Sequence, residues 1–343
     1  MNLPQVQAFL KESGQPDYRF RQISKNYFSG RYQSFLEMTD LPLNLRESLN
    51  TNSPLLSVTL DKIIDSPNTH KARLTLSDGK QIETVLMDYG SWSTVCVSSQ
   101  VGCALGCTFC ATGKMGFTRN LTPEEIVDQI IFWKYYLHKS KVGASLAEAH
   151  EGGLRIVFMG MGEPFLNFDN FVSATTIINS PEGLNIGQRK MSVSTAGVVP
   201  GIKKFMELDT QINLAISLHS ADQATRAQMM PIARQYTLDE LIPAIKDYAD
   251  KTNRQVFFEY LLAKNINDTP FHLDLLIDLM SQHKLFYLNL IPLNPIKGGL
   301  TPSAQSTLNN FETELTRHHI NYSIRQSLGQ SAASACGQLI VEK

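Results

Sequence analysis

The sequence predicts an α/β fold in which a parallel sheet is covered by helices and preceded by a small helical region. From residue 94 to residue 326, seven short runs of β-branched and aromatic residues alternate with helical stretches. Residues 1–52 carry apolar residues at helical spacing, and residues 54–88 alternate apolar and polar side chains around the turn sequence SDGK. Repeated β–α units favour parallel strands with helices outside, arranged as an open sheet or as a full or partial barrel.

Each predicted strand is a short apolar run between helical stretches. In order, the predicted strands are TVCVSS, LRIVFM, KMSVST, NLAISLH, QVFFEYLL, LFYLNLI and NYSIRQ. Helices are predicted from their starts as well as from their periodicity. Thr122 with Glu125 and Thr237 with Glu240 match the capping box, in which a hydroxyl and a glutamate three residues later satisfy backbone N–H groups. Pro270 marks the first turn of a further helix.

Composition limits the classes of protein to which the chain can belong. With 343 residues, 43% of them hydrophobic, it can bury a large core, and it has no apolar run long enough to span a membrane. The N-terminus lacks the apolar stretch of a signal peptide, so we expect a cytoplasmic protein whose thiols stay reduced. Its five cysteines are then better interpreted as metal ligands or catalysts than as a disulfide framework.

The charge balance gives no global sign of nucleic-acid binding, because the formal net charge is −1. Any RNA contact must therefore come from a local basic patch. The candidate residues fall in two groups, Lys114, Arg119, Lys134, Lys139 and Lys141, and Arg189, Lys190, Lys203 and Lys204. An ordinary solvated surface is an equally good interpretation of both groups.

Polar or glycine-rich turns follow five of the predicted strands. They are the cysteine-rich VGCALGCTFCATG (101–113), GMGEP (160–164), STAG (194–197), SLHS (217–220) and IPLNP (291–295). The carboxyl ends of parallel strands meet at one end of a sheet or barrel, where ligands bind. Five such turns together predict a large ligand at that end.

Three cysteines, Cys103, Cys107 and Cys110, lie within eight residues at the spacing C-x3-C-x2-C. Thiolates bind iron–sulfur clusters, and a [4Fe–4S] cluster with three protein ligands leaves one iron open to a small molecule. This spacing is characteristic of radical S-adenosylmethionine (SAM) enzymes, in which that iron binds SAM. The alternative is a zinc site that takes a remote fourth ligand.

Two further cysteines lie outside this loop. Cys96, in TVCVSSQ, has an alternative interpretation as a small buried hydrophobic residue. Cys336, in ASACGQL, lies in a glycine-flanked segment near the C-terminus with little means of burying itself. A tail that carries one thiol could reach over the mouth of a barrel.

The order of these motifs resembles the RlmN/Cfr family of radical SAM RNA methyltransferases. The motifs that carry the resemblance are QPDYRFRQI, CVSSQVGCALGCTFCATGKMGFTRNLTPEEI, GMGEPFLN, SVSTAGVVP, LAISLHS, FFEYLL, NLIPLNP and ACGQL. The resemblance implies a partial (β/α) TIM-type barrel with a small N-terminal helical accessory domain and a C-terminal cysteine-bearing tail. The implied division is an RNA-binding accessory domain (1–52), a β linker or hairpin (53–90), the radical SAM barrel (91–326) and the tail (327–343).

The resemblance also implies a reaction through protein sulfur. One SAM methylates Cys336, and a second SAM, cleaved at the cluster, yields an adenosyl radical that abstracts hydrogen from the S-methyl group. The methylene radical adds to a ring carbon of adenine, and Cys96 forms a disulfide with Cys336 to release the base. Glu83, thirteen residues before Cys96, corresponds to the general base. A solvent-facing strand glutamate is the alternative for Glu83.

Contacts to SAM carry over onto the turns after the strands. The implied residues are Gly162, Glu163, Ser194, Ser217, Leu218, His219 and Asn294. Taken alone, His219 would more often be a packed histidine at a strand end than a ligand-binding residue. We also expect an electron donor such as flavodoxin or ferredoxin, no membrane partner, and a monomer.

The family has two branches, which differ in the carbon that they methylate. RlmN-type enzymes methylate carbon 2 of an adenine in 23S rRNA, and many also act on tRNA, whereas Cfr-type enzymes methylate carbon 8 of the rRNA base. GMGEP and the interval from Glu83 to Cys96 favour carbon 2. The segment between Gly329 and Cys336 lacks the acidic residues typical of the family, and residues 138–153 form a longer predicted surface loop. The remaining alternative is an RNA-binding protein with an iron–sulfur or zinc site and no methyl transfer.

Overall fold

The N-terminal part of the protein is helical, as the sequence predicts. The computed structural model describes residues 1–139, 153–294, 299–325 and 337–339. The first helices are α1 (Leu3–Glu12), α2 (Tyr18–Ser29) and α3 (Leu43–Asn52). Their buried apolar side chains belong to the same hydrophobic core as the main sheet.

Three antiparallel strands follow, β1 (Val58–Ser66), β2 (Thr69–Leu76) and β3 (Gln81–Asp88). The predicted turn SDGK connects β2 to β3, and Gly79 there has a φ of 77°, a conformation that glycine adopts at little cost. β3 also pairs with β4 (Ser93–Cys96). The region 53–90 therefore extends the main sheet, and it does not form a sheet of its own.

After β4 the chain forms a small hairpin that the sequence patterns did not reveal. Its strands are β5 (Gln100–Gly102) and β6 (Phe117–Asn120), which pair with each other in a separate two-stranded sheet. The cysteine loop lies between these two strands, so the hairpin forms its base.

The main sheet continues with parallel strands that match all seven predicted runs. After β4 these are β7 (Leu154–Phe158), β8 (Met191–Thr195), β9 (Asn213–Ser217), β10 (Val256–Leu262), β11 (Phe286–Pro292) and β12 (Tyr322–Ile324). Within the described residues the order is β1-β2-β3-β4-β7-β8-β9-β10-β11-β12, with β1 and β12 as the two edges. A full barrel, one of the predicted arrangements, is thus not formed in this part of the chain, because the edge strands do not pair.

Helices connect the parallel strands. They are α4 (Pro123–Lys139), α5 (Phe168–Asn179), α6 (Val199–Met206), α7 (Gln223–Met229), α8 (Leu238–Thr252), α9 (Pro270–Met280) and α10 (Gln305–Arg317). The capping box at Thr122 is confirmed, with 3.3 Å from the Glu125 N–H to the hydroxyl and 3.0 Å from the Thr122 N–H to the carboxylate. The one predicted at Thr237 is wrong, because its side chain makes no capping hydrogen bond. No helix in the described ranges is long and apolar enough to cross a lipid bilayer.

Asp128 joins the N-terminal helices to the main sheet. Its fully buried carboxylate accepts hydrogen bonds from the Tyr27 hydroxyl and from the backbone N–H and hydroxyl of Ser57, the latter two at 2.6 and 2.7 Å, and it pairs with the amino group of Met1 at 2.8 Å. Burial and the nearby carboxylate raise the pKa of Tyr27 well above its ordinary value. α4, α2 and the start of β1 are therefore held together by one buried charge.

Candidate active site

One cavity is lined by residues of the parallel strands and of the turns that follow them, and most of the predicted site residues lie around it. The lining includes Cys96, Cys103, Cys107, Cys110, Gly162, Glu163, Ser194, Ser217, His219 and Asn294. Leu218 is fully buried in the core and does not line the cavity. Glu83, on β3, is not among the residues that line the cavity, and Cys336 falls outside the described residues.

The cysteine loop is fixed at both sides. Gly102 has a φ of 76°, and a Cβ there would lie 1.9 Å from the carbonyl oxygen of Gly116, so only glycine fits. The Cys103 N–H donates to the same oxygen at 2.9 Å, and the Thr108 N–H donates to the Met229 carbonyl at the end of α7 at 2.9 Å. The loop is therefore fastened to both the β5–β6 hairpin and a barrel helix.

Apolar side chains surround the three thiols. Leu105, Met230 and Leu261 belong to a hydrophobic cluster that is separate from the main core and contacts the cysteines. Burial raises the pKa of Cys103 to about 11 and raises that of Cys107 further, and the charge of the neighbouring Cys110 adds to both shifts. The thiols are therefore close together in apolar surroundings, with Cys107 buried and Cys103 and Cys110 half-buried, and a thiolate there needs compensating positive charge.

Glu163 ties two strand ends together. Its Oε1 accepts a hydrogen bond from the Phe165 N–H at 3.0 Å, and its Oε2 accepts one from the Ala196 N–H at 2.8 Å. Burial raises the pKa of this carboxyl to about 7, and the two backbone hydrogen bonds oppose that rise. Gly162, at a φ of 99°, packs against Gln100, where a Cβ would come within 2.8 Å of the backbone nitrogen. The carboxylate holds the turn while Gly162 brings its backbone to the cavity.

His219 is a neutral donor at the end of β9. It has a φ of 55° and is 4% exposed, and its Nδ1 accepts a hydrogen bond from the Leu261 N–H at 3.2 Å. Burial lowers its pKa to about 3, so the ring proton resides on Nε2. Phe109 packs edge-on against the ring at 4.6 Å, and the hydroxyls of Ser194 and Ser217 lie 3.4 Å apart nearby. His219 is therefore a packed histidine at a strand end, as one of the two sequence-based interpretations has it, and it also lines the cavity.

Glu83 and Cys96 face the same side of the sheet. Val85 pairs directly with Cys96, which makes Glu83 its diagonal neighbour, typically at about 7–8 Å. Glu83 is 5% exposed and forms an ion pair of 3.1 Å with Lys71, itself 6% exposed. The interpretation of Glu83 as a solvent-facing glutamate is therefore wrong.

The segment that follows Cys336 in sequence docks on the cysteine loop. The Ala111 N–H donates to the carbonyl oxygen of Gly337 at 2.8 Å, and the Thr112 hydroxyl donates to that of Leu339 at 2.6 Å. Leu339 is 5% exposed and packs in the main core. The C-terminal segment therefore reaches the mouth of the barrel.

Comparison with known proteins decides the family. The model of the radical SAM superfamily matches residues 97–275, and that of the ribosomal RNA large subunit methyltransferase N-terminal domain matches residues 1–54. A probable dual-specificity RNA methyltransferase RlmN from Chloroflexus aurantiacus is 39% identical over 98% of this chain and 91% of its own. One from Carboxydothermus hydrogenoformans is 41% identical over 99% of this chain and 96% of its own. The chain belongs to the RlmN family of radical SAM RNA methyltransferases.

A solved structure of the same class confirms the α/β radical SAM fold of this RlmN-family enzyme. It is a radical SAM methyltransferase from Sphaerobacter thermophilus, with a TM-score of 0.91 and 38% identity over 100% of this chain and 98% of that chain. Membership implies a [4Fe–4S] cluster and SAM as cofactors.

The residues present fit such a cluster. Soft thiolate donors suit iron–sulfur clusters, and the three loop cysteines of this RlmN-family enzyme share the apolar surroundings described above. Among the described residues, no three or more His, Cys, Asp or Glu side chains are arranged to hold one metal ion. A cluster whose separate irons each take one thiolate does not require that arrangement. Membership of the radical SAM superfamily favours the cluster over the zinc alternative.

Two residues of the enzyme were missed by the sequence analysis. Arg226, on α7, is fully buried and donates to the backbone carbonyls of Ala196 at 2.8 Å and Leu218 at 3.2 Å. Nothing in its local sequence distinguishes it from a surface helix residue. Glu259 lines the cavity, accepts a hydrogen bond from Asn289 at 2.9 Å and lies 3.6 Å from Arg325. A glutamate inside the apolar run FFEYLL was a signal that could have found it.

Proposed function

We propose that this enzyme methylates carbon 2 of an adenine in 23S rRNA and in tRNA, through a methyl group carried on Cys336. The relatives named RlmN are described as dual-specificity RNA methyltransferases. The observation that carries the proposal is the convergence of two regions: Cys96 shares a cavity with the three loop cysteines, and the residue after Cys336 is hydrogen-bonded to the residue after Cys110.

Cys336 is the proposed methyl carrier. Gly337 and Leu339 are fastened to the cysteine loop, which supports a carrier that works close to that loop. Cys96 faces the cavity from β4 and is the proposed resolving thiol. The sulfur of Cys96 loses its proton and attacks the sulfur of Cys336, and the bond from that sulfur to the methylene carbon breaks with its electron pair on the carbon. The carbon takes up a proton and becomes the methyl group of the released base, while the two sulfurs join in a disulfide of about 2 Å.

Glu83 is the proposed acceptor of the proton from the adenine ring carbon. It lies diagonal to Cys96 on the same face, and Lys71 supplies the counter-charge that a buried carboxylate needs. A buried carboxylate on the same face of the sheet as the reacting thiol suits a general base.

Cys103, Cys107 and Cys110 would together hold one [4Fe–4S] cluster per subunit. When bound, the cluster supplies the electron that cleaves SAM. The turn at Gly162, which Glu163 holds in place, presents its backbone to the amino group of SAM. Ser194, Ser217, His219 and Asn294 complete the proposed SAM contacts around the cavity, whereas Leu218 does not line it. We expect flavodoxin or ferredoxin as reductant and a monomeric enzyme.

Nucleoside analysis of RNA treated with the reconstituted enzyme tests the target carbon. We expect 2-methyladenosine in both rRNA and tRNA substrates. Exclusive 8-methyladenosine would assign the Cfr-type reaction, and SAM cleavage without RNA methylation under turnover conditions would overturn the methyl-transfer proposal. A Cys96→Ser variant should accumulate RNA linked to Cys336, because the resolving thiol is absent.

A further inference from the structure

A stack of three side chains lies at the end of the cavity opposite the cysteine loop. The hairpin between β3 and β4 closes with a hydrogen bond from the Tyr89 N–H to the Trp92 carbonyl at 3.0 Å, around Gly90 at a φ of 79°. The rings of Tyr89 and Trp92 stack at 5.4 Å and 17°, and the Arg155 guanidinium lies 4.2 Å from the Trp92 ring centre. These side chains precede β4 or begin β7, so they mark the amino-terminal end of the strands.

The stack continues the sheet face on which Cys96 lies. Met87 pairs with Thr94 and Val85 pairs with Cys96, so the alternation of side chains places Tyr89 and Trp92 on this face. Tyr89 and Cys96 both line the cavity. Trp92 precedes Cys96 by four residues of extended chain, which corresponds to about 13 Å. One cavity thus connects the stack to the reacting thiol, and one or two nucleotides of RNA can span the distance between them.

The stack is accessible and has basic side chains in and near it, with the carboxylate of Asp88 in the same turn accepting a hydrogen bond from the Gly90 N–H at 2.9 Å. Tyr89 keeps 38% of its surface exposed although it is stacked, and Arg155 is exposed. The ammonium group of Lys190 lies beside Gly153, two residues before Arg155. Lys190 belongs to one of the two groups of basic residues noted in the sequence. In the other group, Arg119 is paired with Asp78 and Glu125 and thus occupied within the protein.

We propose that Tyr89, Trp92 and Arg155 form a stacking surface for an unpaired RNA base next to the target adenine, so that the RNA enters from the amino-terminal end of the strands. Aromatic rings that stack on bases, with cations against the backbone, are the usual means by which proteins hold single-stranded RNA. This proposal rests on the proposed function, since it uses the position of Cys96 to place the target base.

Binding of a stem–loop RNA to the cluster-loaded enzyme tests the proposal, measured by fluorescence anisotropy at fixed salt. Tyr89→Leu keeps an apolar side chain but removes the aromatic face, and we expect it to bind RNA about tenfold or more weakly. Trp92→Phe should retain most of the affinity. Phe271→Leu is the matched control, because Phe271 is a 58% exposed aromatic residue that does not line the cavity. Wild-type affinity in Tyr89→Leu would overturn the proposal.

Two further measurements separate this proposal from the proposed function. Methylation of Cys336 in the wild type is measured without RNA, and its failure would contradict the carrier mechanism while leaving the RNA-binding result standing. The unmutated enzyme gives an independent test, since it has two tryptophans and Trp133 is fully buried. RNA should protect Trp92 from acrylamide quenching, and unchanged quenching in the saturated complex would contradict the stack as a binding surface.

Discussion

The hydroxyl of Thr112 and the carbonyl oxygen of Leu339 are joined by a buried hydrogen bond of 2.6 Å that spans 227 residues of sequence. Thr112 lies two residues after Cys110, and Leu339 lies three residues after Cys336. The bond therefore ties the proposed methyl carrier segment to the loop that would hold the cluster.

Replacing Thr112 with valine should loosen this attachment. The Leu339 carbonyl would be left buried without its donor, at a cost of about 1–3 kcal/mol. We expect faster hydrogen exchange at the amide of Ala111, which donates to Gly337, and slower methylation of Cys336. Thr112→Ser keeps the hydroxyl and is the control; equal exchange in the two variants would show that the bond does not hold the segment.

Replacing Lys71 with methionine should slow methyl transfer to RNA. The Glu83 carboxylate would lose its ion-pair partner in a buried site, and with it the counter-charge that supports its role as base. We expect RNA methylation to slow about tenfold or more, while SAM cleavage without RNA keeps its rate. Lys71→Arg should restore most of the wild-type rate. A methionine variant with the wild-type rate of RNA methylation would contradict the role of Glu83 as base.

The neutral state of His219 predicts a loss of stability in acid. Its pKa is lowered to about 3 in the folded protein, so below about pH 6.5 the unfolded chain binds a proton that the folded protein excludes. This group should cost about 1.4 kcal/mol of stability for each pH unit below 6.5. In His219→Gln, thermal unfolding should depend less on pH between 5 and 6.5. The exposed His318→Gln is the control, and parallel curves for all three proteins would refute the assignment.

Asp128→Asn should weaken the attachment of the N-terminal helices. The variant removes a buried charge that receives donors from Tyr27 and Ser57, and loss of such a partner costs about 3–5 kcal/mol. We expect faster hydrogen exchange in α2 and earlier proteolysis between α3 and β1. Asp250→Asn removes an exposed partner of His283 and should change neither measurement. Wild-type exchange in α2 would show that Asp128 is not the main contact.

Local patterns were sufficient for the elements that are long or start with a distinct cap. The seven parallel strands and the capping box of Thr122 were predicted because apolar periodicity and capping act between residues close in sequence. The β5–β6 hairpin was missed, since β5 has only three residues and lies next to a cysteine- and glycine-rich loop. Pro243 lies inside α8 and not at its start, and Thr237 is the N-cap residue through its backbone carbonyl, without a capping hydrogen bond from its side chain.

The site depends on registers that local patterns do not contain. The three loop cysteines and the turns at strand ends were predictable because every parallel β–α unit brings its carboxyl end to the same side. The ion pair of Lys71 with Glu83 and the stack of Tyr89 on Trp92 require the pairing of β2, β3 and β4, which no single strand specifies. Lys134 appeared as a surface cation in the sequence, but its ammonium donates to the Phe28 carbonyl at 2.6 Å.

Mass spectrometry of the C-terminal peptide tests the central claim, transfer through Cys336, most directly. Trypsin cleaves after Arg325 and releases residues 326–343, which contain Cys336 as their single cysteine. After incubation with SAM that carries a trideuteriomethyl group, and before RNA is added, we predict that this peptide carries the deuterated methyl group on Cys336. Added RNA should then gain deuterium as the peptide loses it. An unmodified peptide alongside deuterated RNA would contradict the account.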